Sequence, residues 1–241
     1  MIRKMLSMVC LALSIAANLG AQTYVFAGDS ITDGGWGRSG GMPTPTSQRN
    51  QTDMNHIFGH SFMMLCASDL QSAMPSAGLV FQNRGISGDT LEGLSARWDE
   101  EILSLRPDAI SILIGINDAT KGVCLREWEN SYRTLLKRTL EALPGCRIIL
   151  CTPFTAKAGR FGERADYDAC ESSVQAMADI VRRLAEEFKT DLVPFDVMFQ
   201  NLISGTSVPA EYWIWDGIHP TPAGHRRMAD LWEMTVGISE D

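Results

Sequence analysis

Two widely separated segments of the chain carry residues that together could perform nucleophilic catalysis. Gly28-Asp29-Ser30 directly follows an apolar run at residues 23–27, and Asp216 stands three residues before His219 near the other end. A serine hydroxyl becomes a good nucleophile when a base takes its proton. Of the four histidines, only His219 lies in a predicted strand-end loop behind a carboxylate at this spacing. Asp216 would orient the imidazole and stabilise its protonated form. The residues therefore predict a triad of Ser30, His219 and Asp216.

The elements that must position these residues alternate regularly along the chain. Strands are predicted at residues 23–27, 78–82, 109–114, 147–151 and 191–195, and helices at about 56–73, 91–103, 125–142, 165–189 and 222–234. The strand segments are nearly all apolar, which is typical of parallel strands covered on both faces. Alternation of this kind predicts one α/β domain over residues 22–241, a three-layer α/β/α sandwich with a five-stranded parallel sheet. Ligands bind such sheets at the carboxyl ends of the strands.

Four of these strand-end or loop segments resemble the sequence blocks of the SGNH or GDSL family of serine hydrolases. The first is Gly28-Asp29-Ser30, the second contains Gly88, the third is Gly115-Ile116-Asn117-Asp118 and the last is Asp216-Gly217-Ile218-His219. The resemblance runs in the correct order from residue 24 to about residue 234. It implies the flavodoxin-like fold of SGNH hydrolases. It also implies an oxyanion hole made by the backbone N–H groups of Ser30 and Gly88 and the side-chain amide of Asn117.

The remaining polar residues near these segments have structural interpretations. Asp29 is expected to stabilise its turn, the segment 89–92 (Asp-Thr-Leu-Glu) is typical of a helix capping box, and Asp118 is expected to be structural. A metallophosphoesterase with Asp29, Asn117 and His219 as ligands is an alternative, but a Gly-Asn-His-Asp segment is missing. His56 and His60 are four residues apart and could share a metal, although no third ligand is in view. We therefore expect neither a metal nor another cofactor.

Aromatic residues near the predicted site could contact the substrate. Trp36 follows Ser30 by six residues, and Tyr212, Trp213 and Trp215 precede Asp216. Aromatic rings at the mouth of a site can stack on sugars or hold an acyl chain, or they can pack loops against the core. Trp36 and Trp213 are the two that we expect at the surface as substrate-binding residues.

The composition and the first residues bear on location and partners. The 241-residue chain is 45% hydrophobic and 21% charged, as in ordinary globular proteins, and its net charge of −8 argues against a nucleic-acid partner. Residues 1–21 combine a basic start, a short apolar run and small residues before Gln22, which is typical of a cleaved signal peptide and too short for a stable membrane anchor. We expect export to the periplasm or the medium. Five cysteines remain without Cys-x-x-Cys spacing, so at most an unassigned disulfide is expected.

These observations predict an exported serine esterase that removes a small acyl group, most simply acetyl, from a small-molecule or polysaccharide ester. Many exported members of the family that the chain resembles deacetylate polysaccharides. A lysophospholipase or acyl thioesterase is the alternative among enzymes, and a non-catalytic carbohydrate-binding protein is the alternative of another class. The sequence does not indicate the oligomeric state.

Overall fold

The computed structural model describes residues 22–35, 38–39, 42–43 and 59–237. The predicted signal peptide at residues 1–21 lies outside the described residues, as do Trp36 and His56. No helix within the described ranges is long and apolar enough to cross a membrane. The five cysteines described there, one of them exposed, are all free thiols.

A five-stranded, all-parallel sheet forms the centre of the fold, as the sequence predicts. The strands, including a small hairpin of β2 and β3, are β1 (Thr23–Gly28), β2 (Arg38–Ser39), β3 (Met42–Pro43), β4 (Val80–Gly85), β5 (Ala109–Leu113), β6 (Arg147–Cys151) and β7 (Asp191–Val193). Their order in the large sheet is β4-β1-β5-β6-β7. In β1, the second strand of this order, Phe26 is in register with Asn83 of β4 and Ser111 of β5. The loops after β1, β4 and β5 therefore begin side by side at one edge of the sheet.

Helices cover both faces of the sheet. They are α1 (Ser30–Asp33), α2 (Phe62–Ala73), α3 (Leu91–Ala96), α4 (Trp98–Glu101), α5 (Ile116–Thr120), α6 (Leu125–Ala142), α7 (Gly159–Gly162), α8 (Tyr167–Phe188), α9 (Phe195–Ser204), α10 (Ala210–Trp213) and α11 (Pro222–Val236). α2 packs against α11, and α6 packs against α3 and α8. The architecture is the expected three-layer α/β/α sandwich.

Large aromatic side chains fill the core between the layers. Beside β1, the Phe26 ring lies 4.9 Å from the Trp232 ring and 5.7 Å from the Phe62 ring, centroid to centroid. Trp128 and Tyr132 meet edge to face at 5.3 Å in α6. These side chains are at most 1% exposed. Burial of rings of this size is a major part of the apolar surface that stabilises the fold.

Several predicted elements differ from the structure. The strand expected at residues 78–82 spans Val80–Gly85, and the helix expected from about residue 56 begins at Phe62. The helix expected over residues 91–103 is interrupted at Arg97, where the backbone (φ −103°, ψ 5°) separates α3 from α4. The strand expected at residues 191–195 ends at Val193, and α9 begins at Phe195. The apolar residues at the start of α9 resemble a strand locally, and Pro194 allows the chain to turn into the helix.

Candidate active site

Ser30 lies at the first position of α1, immediately beyond the carboxyl end of β1. Asp29 caps this short helix, because its Oδ1 accepts a hydrogen bond of 2.9 Å from the backbone N–H of Ile31. The predicted turn-stabilising role of Asp29 is thereby confirmed. Gly28 comes just before, at a point where a Cβ would overlap the carbonyl oxygen of Leu113. The glycine therefore lets β1 and β5 lie close together directly beneath Ser30.

The structure brings together Ser30, His219 and Asp216, which are separated by up to 189 residues. Ser30 Oγ lies 2.8 Å from His219 Nε2, and His219 Nδ1 lies 2.8 Å from Asp216 Oδ2. The Asp216 side chain is 8% exposed and that of His219 is 36% exposed. One ring nitrogen is thus placed to take a proton from the hydroxyl while the other is held by a carboxylate. This arrangement can activate a serine for attack on a carbonyl.

The turn that carries Asp216 and His219 is held by its own hydrogen bonds. Asp216 Oδ1 accepts from the backbone N–H groups of His219 (2.7 Å) and Ile218 (3.0 Å). Burial acts to raise the pKa of Asp216, but the hydrogen bonds from His219 and Ile218 outweigh it, and the pKa lies below its ordinary value. Asp216 is therefore ionised at neutral pH and able to stabilise an imidazolium.

The same turn is fastened to the loop that follows β6. The carbonyl oxygen of Gly217 accepts from Ala156 N (3.0 Å) and Thr155 Oγ1 (2.7 Å). Gly217 has a φ of +91°, and a Cβ there would approach the Ala158 carbonyl oxygen to 2.6 Å. Only glycine satisfies both the backbone conformation and this close packing.

The residues expected to form an oxyanion hole lie in the loops after β4 and β5. Gly88 has a φ of +86°, and a Cβ on it would meet no atom of the described structure within 4 Å, so the space beside it is open. Asn117 Nδ2 donates one hydrogen bond of 2.9 Å to the Asp89 carbonyl oxygen. An amide nitrogen carries two hydrogens, so the second remains available for a ligand.

The acidic residues around these loops form structural hydrogen bonds and ion pairs, and one predicted helix cap is assigned to a different residue. The helix cap predicted for Asp89 belongs to Thr90, whose side chain accepts from Gly93 N, while the Asp89 carboxylate pairs with Arg97. Both oxygens of Asp118 accept from Leu91 N, at 3.1 and 3.2 Å. The structural role expected for Asp118 is thus confirmed, and its partner is the first residue of α3.

The aromatic residues near the site are placed differently from our expectation. Trp213 is 8% exposed and packs in the interior, so it presents no surface to a substrate. Trp215 is 53% exposed, and its ring stacks against His219 with centroids 6.3 Å apart at 26°. Tyr212 is 54% exposed. Sequence reasoning missed Trp215 as the better candidate, although its place directly before Asp216 was a usable signal.

The histidines other than His219 form no metal site within residues 59–237. In all the described ranges, no three histidine, cysteine, aspartate or glutamate side chains come together as potential metal ligands. His225 belongs to α11, yet its Nδ1 accepts from Phe62 N at 3.1 Å and so caps α2. Neither local segment predicts this contact, because Phe62 and His225 are 163 residues apart.

Comparisons with known proteins extend the likeness over almost the whole chain. The model of the GDSL-like lipase/acylhydrolase family matches residues 26–227. An acetylxylan esterase from Geobacillus stearothermophilus is 31% identical over 227 residues, which cover 90% of this chain and 94% of the relative. A solved structure from Parabacteroides merdae, described as a GDSL-like lipase, has a TM-score of 0.80 at 34% identity and covers 92% of this chain and 99% of its own. The structure of Axe2, an acetylxylan esterase from Geobacillus stearothermophilus, has a TM-score of 0.74 at 29% identity and covers 92% and 97%.

Proposed function

The chain belongs to the GDSL-like lipase/acylhydrolase family and is a carboxylic ester hydrolase, and on that premise we propose that Ser30, His219 and Asp216 are its catalytic triad. The observation that carries this proposal is the continuous set of hydrogen bonds from Ser30 Oγ through the His219 ring to Asp216, with both distances 2.8 Å. Nucleophile, base and orienting carboxylate are thus in hydrogen-bond contact.

In the proposed reaction, Ser30 Oγ attacks the ester carbonyl carbon as His219 Nε2 takes the hydroxyl proton. The carbonyl oxygen becomes an oxyanion, which accepts hydrogen bonds from the backbone N–H groups of Ser30 and Gly88 and from Asn117 Nδ2. His219 then gives its proton to the departing alcohol, which leaves an acyl group on Ser30. Water, activated by the same imidazole, hydrolyses this acyl-enzyme and restores the serine. Asp216 remains ionised throughout.

We propose acetyl esters of carbohydrate as the substrates. Two observations support this choice. The relative that is 31% identical is an acetylxylan esterase, and Trp215 exposes half of its surface beside His219, where its ring can stack on a sugar. A long acyl chain would instead need an apolar channel that opens at Ser30. A cavity of about 690 Å³ lies between α8, α9 and the loop after β6, but neither Ser30 nor His219 lines it.

Export is the second part of the proposal. Residues 1–21 have the layout of a signal peptide, and a polymeric ester would be met outside the cytoplasm. Removal of this segment changes the formal charge from −8 to −10, because it holds two basic residues and no acidic one. Mass spectrometry of the protein recovered from its producing cells tests this: a mature chain that begins at Gln22 is expected, and an intact Met1 in all fractions contradicts export.

Labelling with a fluorophosphonate, which reacts with activated serines, tests the triad. Wild-type protein is expected to gain one label on Ser30, whereas folded Ser30→Ala and His219→Ala proteins gain none. Label on the Ser30→Ala protein at the wild-type rate would refute the assignment. A wild-type chain that takes no label would point to the non-catalytic class.

A substrate series tests the acyl group and the alcohol. We expect p-nitrophenyl acetate to give a higher kcat/KM than the octanoate, and acetylated xylan to release acetate. A preference for octanoate would refute the deacetylase proposal and favour the lysophospholipase or thioesterase alternative. We expect EDTA to leave these rates unchanged. Activity that is lost in EDTA and restored by added metal would favour the metallophosphoesterase alternative.

A further inference from the structure

The loop between β4 and α3, residues 86–90, controls two of the three proposed oxyanion donors. Gly88 N belongs to this loop. Asn117 Nδ2 is oriented by the carbonyl oxygen of Asp89, the next residue of the same loop, at 2.9 Å. The position of Asp89 therefore determines where both donors point.

A nearly buried ion pair fixes Asp89. Nε and Nη2 of Arg97 lie 3.0 and 2.7 Å from Asp89 Oδ2, and the two side chains are 12% and 10% exposed. Arg97 Nη2 also donates to the Arg84 carbonyl oxygen at the end of β4 (2.8 Å), and Nη1 donates to Glu101 Oε2 (2.8 Å). One guanidinium thus ties the loop to the sheet and to α4.

The surrounding structure is built around this pair. A Cβ at Gly93, in the interior of α3, would overlap Asp89 Oδ1, so the helix holds a glycine where the carboxylate lies against it. Glycine is less favourable than alanine inside a helix. The helix is also interrupted at Arg97 itself, where φ is −103° and ψ is 5°. Both irregularities thus lie at residues that face Asp89.

We infer that Arg97 is a positioning residue for the oxyanion hole: by holding Asp89, it sets the Gly88 N–H group and the Asn117 amide at the distance that the tetrahedral oxyanion requires. The inference rests on the proposed function. Its physical reason is that donors stabilise the transition state only when they are fixed before the reaction, and small displacements weaken them. Arg97 also pairs with the carboxylate of Asp89, the residue that directly follows Gly88.

The test compares Arg97→Met and Arg97→Lys with Arg133→Met as a matched control. Arg133 is 26% exposed and pairs with Glu129 and Glu187 between α6 and α8, so its loss removes two ion pairs away from the site. With p-nitrophenyl acetate, Arg97→Met is expected to lower kcat about 10- to 100-fold, less than the 10²- to 10³-fold typical of a deleted donor, and to change KM less than about threefold. Arg97→Lys should recover most of kcat, because an ammonium can still pair with Asp89. Arg133→Met should match the wild type.

A double-mutant cycle separates positioning from a general loss of stability. In the Asn117→Ala background, Arg97→Met is expected to lower kcat by a smaller factor than in the wild type, because one of the two donors that it positions is already gone and only the Gly88 N–H group is left to displace. Affinity for a boronic acid, which forms a tetrahedral adduct on an activated serine, should fall with kcat in Arg97→Met, whereas affinity for acetate should not. If circular dichroism shows that Arg97→Met is not folded, Asp89→Asn replaces it in the same cycle.

The outcomes are distinguishable. Wild-type protein that is neither labelled nor active on esters would overturn the proposed function itself. If the wild type is active, then equal kcat for Arg97→Met and Arg133→Met, or factors that simply multiply in the Asn117→Ala background, would overturn the positioning role and leave the triad intact.

Discussion

Replacement of His225 by asparagine tests a buried, uncharged histidine at the junction of α2 and α11. The His225 ring is 9% exposed, and its Nδ1 accepts a hydrogen bond from Phe62 N, which requires that this nitrogen carry no proton. Burial, followed by the charges of His60 and His219, lowers the pKa of His225 to about 4. An asparagine Oδ1 can accept the same bond but does not titrate.

The sign and size of the effect follow from proton linkage. In the unfolded chain His225 takes up its proton below a pKa of about 6.5, whereas in the folded protein it stays neutral down to about 4. Its contribution to stability is therefore fully present above pH 6.5 and is lost as the pH falls toward 4. The loss between pH 7 and pH 5 is about 2 kcal/mol.

Urea unfolding at pH 7 and pH 5, followed by circular dichroism, measures this difference. The free energy of unfolding of the wild type is expected to fall by about 2 kcal/mol more than that of His225→Asn over this range. Other titrating groups act in both proteins and cancel in the comparison. His60→Asn removes only one of the smaller charge contributions to this shift and leaves burial in place, so it should retain most of the wild-type pH dependence. Equal pH dependence of the wild type and His225→Asn would refute the neutral, buried state of the ring.

Three further variants probe the donors, the turn beneath Ser30 and the central strands. Asn117→Ala is expected to lose about 2.7–4 kcal/mol of transition-state stabilisation, seen as a lower kcat with little change in KM for p-nitrophenyl acetate. An unchanged kcat would contradict the role of Asn117 as a donor. Burial raises the pKa of Asp29 to about 7, so stability from this group is present at acid pH and is lost as the pH rises. From pH 5 to pH 8 the free energy of unfolding of the wild type should fall by about 2–3 kcal/mol more than that of Asp29→Asn. An equal change in the two proteins, measured by urea unfolding, would contradict this. Gly28→Ala should cost about 1–3 kcal/mol through overlap with the Leu113 carbonyl, whereas Gly145→Ala, with open space around it, should change stability by less than about 0.5 kcal/mol. Equal costs for the two alanine variants would show that the strands can separate.

The features that could be predicted from the sequence are those that local pattern specifies. The apolar segments predict the sheet because parallel strands are buried on both faces. Ser30 and His219 could be paired because each lies in a short, recognisable segment at a strand end or in a loop. The contact itself spans 189 residues, and it follows from the fold class, in which the loops at one edge of the sheet converge.

Features that depend on side-chain direction or on distant partners could not be predicted. Trp213 and Trp215 are two residues apart, yet α10 ends at Trp213 and turns that ring inward, while Trp215 lies in the following turn. The cap that His225 provides to α2 could not be predicted either, because nothing in the sequence around Phe62 or around His225 indicates that the two residues are in contact. The strand expected to continue to residue 195 was wrong because an apolar run without periodicity fits a strand and a helix start equally well.

The acidity of the chain has a consequence inside the site that composition alone does not indicate. Asp29, Asp33 and Asp118 are at most 2% exposed, and Asp89 is nearly buried, so a part of the negative charge lies beneath the strand-end loops rather than on the surface. A negative field there opposes an oxyanion on the substrate. The opposition is reduced in two ways: burial raises the pKa values of Asp29 and Asp118, to about 7 and about 6, which favours their neutral forms, and Arg97 pairs with Asp89. The proposed oxyanion donors then act against a smaller residual field, which is why the Arg97 pair should affect kcat more than an equally strong ion pair elsewhere.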